Sequence, residues 1–122
     1  MTKLALIPLI FAATVGIALA ADRSDDPQAC DNGWAHQNWH RTVVHCHEAQ
    51  KEAWTAGDAY KAAFYESREA YAYSQLHRDA DARAALREAR NRAAQAGASA
   101  LLQVLNNPNF FTENSASMLN NP

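Results

Sequence analysis

An all-α protein is the fold class this sequence predicts: a small three-helix antiparallel bundle, a helical hairpin plus a third helix, behind a cleaved export signal. Three observations predict it. No proline occurs between Trp34 and Leu105, the only glycines in that span are Gly57 and Gly97, and alanine dominates. Alanine is the strongest helix former, and glycine and proline are the strongest breakers, so helix is the natural state of this stretch.

The elements follow in order. Met1-Thr2-Lys3 is a short positive start, Leu4 to Ile17 is almost wholly apolar, and Ala18-Leu19-Ala20 has the small-x-small form of a signal-peptidase site. Residues 1–20 therefore read as a signal peptide. Spanning a bilayer needs about 20 apolar residues, and this run is shorter and carries Pro8, so no transmembrane anchor is expected after cleavage. Such a signal places the product in the periplasm or outside the cell. Residues 21–33, acidic and containing Pro27 and Asn32-Gly33, read as a loop or one short helical turn begun at Pro27, with Asp26 as its cap.

The helical domain is expected over 34–105. Gly57-Asp58 joins a helix-ending glycine to a helix-capping aspartate, which separates a first helix of about residues 34–56 from a second. An unbroken helix from Asp58 to Gln95 would outrun its partner and leave half its apolar face uncovered, so a break is expected near His77 to Asp81. Asp79 and Asp81 would then cap a third helix of about residues 80–105. Tyr60, Phe64, Ser67 and Tyr71 share one stripe, and Leu86, Ala89, Ala93, Ala96, Ala100 and Val104 another. Aromatic ridges meeting alanine grooves give close but thin packing, since each alanine buries little area. The segment Ala53-Trp54-Thr55-Ala56-Gly57-Asp58-Ala59-Tyr60 resembles the turn of a tetratricopeptide helical hairpin, over one repeat's worth of chain and with the aromatic displaced by one position. Such repeats need at least three copies to bury a core, no second copy of the spacing is present, and any helical hairpin explains the same residues.

Composition excludes several functions. The 122 residues allow one small domain, and 11 Lys+Arg against 13 Asp+Glu give a net charge of -2, without the basic excess of a nucleic-acid binder. A non-catalytic binding or protein-interaction module, with a partner in the cell envelope, is the expected function. A thin core with aromatic stripes also allows a homodimer.

Four of the five histidines lie within twelve residues, from His36 to His47. On one continuous helix His36, His40 and His47 fall on one side, with His36 and His40 a turn apart, a spacing at which two imidazoles can hold one Zn or Cu ion. This supports an alternative reading as a periplasmic metal-binding protein, completed by Cys46 or His77. The competing reading makes the histidines a polar edge beside an apolar arc of Ala35, Trp39, Cys46, Ala49 and Ala53, with His45 in solvent. No C-x-x-C-H run for haem attachment is present, and no other cofactor is indicated.

Cys30 and Cys46 are the only cysteines, and an exported chain normally pairs them. If the first helix began at Trp34, Cys46 would lie about 18 Å down its axis, beyond the roughly 10 Å reach of the residues back to Cys30. Closing the bond requires a helix that begins nearer Gln37 or later, with the preceding chain doubled back along it. That late start would unwind His36 and dissolve the His36/His40 pair. The disulfide and the metal ladder thus compete for one stretch of backbone, and the disulfide is the expected winner. A thiol at Cys46 on an apolar face, with neighbouring histidines pointing elsewhere, is not expected to act as a nucleophile, and no enzyme activity is expected.

Two further groups are candidate partner contacts. Arg83, Arg87 and Arg90 sit at i, i+4 and i+7, with Asp79 and Glu88 placed to pair with Arg83 and Arg92. Phe110-Phe111 lies in the Asn-rich tail, residues 106–122, which is expected to be flexible unless these rings latch onto the bundle.

Overall fold

The computed structural model describes residues 25–112 and 115–120; the expected signal peptide lies outside them. The described residues form five α-helices and a short 3-10 turn, with no strand among them: α1 (Asp26–Ala35), α2 (Trp39–Thr55), α3 (Ala59–Gln75), α4 (Asp79–Gln95), α5 (Ser99–Leu105) and the 3-10 turn (Ser115–Leu119). The fold is all-α as expected, but the count differs. The expected first helix is split at 36–38 and the expected third at 96–98, and the leading segment expected as a loop or single turn is a ten-residue helix. No helix among the described residues is long and apolar enough to cross a membrane.

One device makes all four breaks. At 36–38, 56–58, 76–78 and 96–98 the chain makes the same turn, with positive φ at Gln37, Gly57, His77 and Gly97. The N–H of the following residue reaches back five positions in each case: Asn38 to Gly33 O, Asp58 to Ala53 O, Arg78 to Tyr73 O and Ala98 to Ala93 O, at 2.9–3.0 Å. The N–H of the left-handed residue itself bonds three positions back, to Trp34, Trp54, Ser74 and Ala94. This is the Schellman ending of a helix, which satisfies carbonyls that the last turn leaves open. The turns recur every twenty residues, so α2, α3 and α4 are each 17 residues long, about 25 Å. Only two of the four carry the glycine that advertises such a turn.

Helix starts are set by different groups. Asn38 and Asp58 accept bonds from the Arg41 and Lys61 backbone N–H groups at 3.2 and 3.0 Å, as capping side chains do. At α4 the cap position is Arg78, and Asp79 and Asp81 lie inside, at the first and third helical positions. They support the positive end of the helix dipole rather than cap it, and Asp81 pairs with Arg78 at 2.8 Å.

Helix α3 is the axis of the molecule, with α2 packed along one flank and α4 along the other. Every residue from 62 to 70 is buried, including Glu66, Ser67, Arg68 and Glu69. The expected Tyr60-to-Tyr71 stripe is therefore only part of its buried surface, and Tyr60 is itself exposed. Helix α1 folds back on α2, where Gly33 meets the backbone of Thr42 so closely that an added Cβ would lie 3.0 Å from its nitrogen. That approach lets Cys30 and Cys46 join in a disulfide, with their Cα atoms 4.7 Å apart. The start of α2 at Trp39 meets the late-start condition that the bond imposes.

The tail is packed onto the bundle rather than loose over its described part. Phe110 and Leu119 are fully buried, and the 3-10 turn lies against α3. Edge-to-face rings run from Trp39 and Trp34 through Tyr71 to Phe110 and Phe111, with centroids 5.1–6.3 Å apart. The two phenylalanines latch.

Candidate functional site

The histidine-rich segment does not assemble as a ligand ladder. The turn at 36–38 places His36 at the end of α1 and His40 in the first turn of α2, so the continuous helix that would align them with His47 is absent. His36 Nδ1 donates to the Asn32 carbonyl at 2.9 Å, and His47 Nδ1 donates to Glu69 Oε2 at 2.8 Å. His45, expected in solvent, is half-buried and donates to Asp26 Oδ1 at 3.0 Å. His77 is spent on a left-handed turn position. Among the described residues, no group of three or more His, Cys, Asp or Glu side chains is arranged to hold a metal ion. The disulfide occupies both Cys30 and Cys46.

A second polar group lies between α2, α3 and α4 and escaped the sequence reading. Arg92 NH1 donates to Glu66 Oε2 at 2.7 Å and to Gln50, while its NH2 pairs with Glu88 at 2.7 Å, the i, i+4 pair the spacing suggested. The guanidinium also lies 4.6 Å over the Trp54 ring. Burial pushes the Glu66 carboxyl up to about 8, even though Arg92 opposes the shift. Burial likewise raises Glu69, against the pull of His47 and Tyr73. The signal that could have found this group is a run in which alanines or aromatics stand on every face of α3: Ala62, Ala63, Phe64, Tyr65, Ala70 and Ala72 leave charged residues between them no exit to solvent. These groups are bonded to one another and act as internal struts.

The third group is the one the chain holds open. Helix α4 supplies Arg83, Leu86, Arg87 and Arg90 to one wall of a trough of about 560 Å³, and the tail supplies Asn107, Pro108, Phe110, Phe111 and Thr112 to the other. Two sets of residues singled out separately in the sequence, the arginine stripe and the Phe110-Phe111 pair, thus face one another across a single space. The latch of Phe110 beside Tyr71 brings the tail there, and Arg90 Nε fixes its start by donating to the Leu105 carbonyl at 2.8 Å. Arg83 and Arg87 are exposed, and neither forms an ion pair or side-chain hydrogen bond with another described residue. The expected Asp79–Arg83 pair is not made, although Asp79 stands at one end of the trough.

Comparison with known proteins returns no matching family model, curated protein or solved structure. Chemically, the trough offers two guanidinium forks that no described residue pairs, beside a preset apolar floor, a combination suited to a ligand with negative charge and apolar bulk. Among its described lining residues there is no cysteine, histidine or carboxylate pair.

Proposed function

We propose that this chain is a small non-catalytic helical binding module, exported to the periplasm or beyond with residues 1–20 removed, which engages a protein partner in the cell envelope. The observation that carries the reading is the trough between α4 and the tail. Arg83, Arg87, Arg90, Phe110 and Phe111 come from segments more than fifteen residues apart, and the buried ring of Phe110 and the Arg90 bond to Leu105 set their arrangement. A disulfide buried at both sulfurs supports folding in an oxidising compartment. The two carboxyls with raised affinity for protons, Glu66 and Glu69, are held by Arg92 and His47 beside a separate, smaller cleft of about 200 Å³ and are not part of the trough.

The test is photo-crosslinking in intact cells, with a benzophenone side chain at position 111 or, as control, at the exposed Lys61 on α3. The expected result is a discrete protein adduct from position 111 that disappears when Arg83 and Arg87 are both replaced by Glu, with none from position 61. Equal labelling from both positions, or none at 111, overturns the reading. Intact mass of the same protein is expected to show loss of residues 1–20 and of two hydrogens.

A further inference from the structure

We infer that the trough docks an acidic peptide segment of a partner protein, one that places a bulky apolar side chain between carboxylates. The inference rests on the reading of the chain as a binding module and names what the module takes. Arg83 and Arg87 stand one helical turn apart, about 5–6 Å, on the rim. A guanidinium fork matches the two oxygens of a carboxylate, and two forks rooted one turn apart can engage two neighbouring carboxylates. Arg90 adds a third positive group, partly buried and steadied by its bond to Leu105. Against these three, Asp79 is the single carboxylate among the described lining residues.

The positive charge is local. The chain as a whole carries -2, so an extended polyanion such as a membrane surface or nucleic acid would meet repulsion beyond the trough, whereas a short acidic segment would not. Shape points the same way. Insertion into a bilayer needs protruding apolar side chains, yet Leu86 and Phe110 are buried at the floor and Phe111 is half-buried in the wall. A side chain from outside can reach them only by entering the trough. From Asp79 to Arg90 the α4 wall runs about 16 Å, the length of about five extended residues. Because Phe110 is already locked against Tyr71 and Phe111, little ordering remains to oppose binding.

The test uses fluorescence anisotropy with a labelled hexapeptide, acetyl-Glu-Phe-Glu-Glu-Leu-Glu, titrated with the full disulfide-bonded protein. A peptide with Gln for every Glu and vesicles of phosphatidylglycerol serve as the comparison ligands. The acidic peptide is expected to bind at least tenfold more tightly than its Gln counterpart. Arg83→Gln with Arg87→Gln should remove that difference without altering the melting temperature. Replacing both arginines by Lys keeps the charge but loses the fork, and should weaken binding at least threefold; Phe111→Ala should weaken it by a similar factor. Equal binding of the two peptides, an unaffected double Gln variant, or arginine-dependent binding to vesicles but not to the peptide overturns the proposal. Should position 111 still crosslink to a protein in cells while the acidic peptide fails, the ligand class falls and the binding module stands; loss of both removes both.

Discussion

Arg68 and the Arg83–Arg87 pair are the same kind of side chain put to opposite uses. Arg68 is 2% exposed and lies between the Phe64 and Trp34 rings, 4.6 and 5.4 Å from their centroids. Its Nε donates to the Leu119 carbonyl at 2.8 Å, one NH2 group to the Asn120 carbonyl at 2.9 Å, and the other to Asp31. Burial works against its charge and Asp31 supports it. The guanidinium therefore ties α1, α3 and the end of the tail together, and Trp34 Nε1 adds a bond to Asn120 Oδ1 at 3.0 Å. Arg83 and Arg87, by contrast, are exposed in the trough between α4 and the tail and make no ion pair or side-chain hydrogen bond with another described residue. A charge becomes a strut when acceptors from neighbouring elements enclose it and a contact when they do not, and residue type alone does not distinguish the two.

That contrast can be broken most severely at Arg68. Arg68→Met is expected to cost about 2–4 kcal/mol in urea unfolding, because it removes the bonds to two tail carbonyls and the guanidinium's stacking on Phe64 and Trp34, and to make residues 115–120 cleavable by added protease. Replacing Cys30 and Cys46 together by Ser should cost about 3 kcal/mol by the same measurement, since the loop they close is short. A smaller, pH-dependent effect belongs to Glu66. Its carboxyl titrates at about 8 folded against an ordinary 4.5, so the folded state holds the proton more tightly. Its contribution is fully present below about 4.5 and is lost as pH rises toward about 8; Glu66→Gln should flatten that decline in urea midpoints measured across the range. At the left-handed turns, Gly57→Ala should lower stability by about 1 kcal/mol through backbone strain alone, as open space surrounds the added Cβ, and His77→Gly should raise it by a similar amount. Least of all, Arg83→Gln with Arg87→Gln should change stability by under about 0.5 kcal/mol while abolishing acidic-peptide binding, which would complete the separation between strut and contact.

How much was legible in advance differs from element to element. The break at Gly57-Asp58 announced itself, and the break at 76–78 followed from helix lengths that would not otherwise match. The turn at 36–38 was accessible only through the disulfide, because Gln37 carries no mark of a left-handed position. The turn at 96–98 was overlooked even though Gly97 is present, since an alanine stripe continued across it. The spacing of Ala-Gly-Asp has no second copy in the residues, yet the backbone repeats the same ending every twenty positions. Hydrogen-bonded turn geometry tolerates Gln or His at a modest cost in strain, so it can recur where sequence does not. Among site residues, the arginine stripe and the Phe110-Phe111 pair were each visible, whereas their meeting was not. Nothing in the local spacing marks Glu66, Arg68 and Glu69 as enclosed; they are buried because α3 is covered on both flanks.

Local rules acting on the sequence by itself determined the helical state, the breaks at 56–58 and 76–78 and the pairing of the two cysteines, because propensity, capping and loop reach operate over a few residues. Tertiary structure alone decided which arginines are enclosed and which are free, and that the tail closes a trough against α4. Those outcomes depend on what a distant segment, 15 to 52 residues away, brings against a side chain. No periodicity within one helix encodes the neighbour that will cover it.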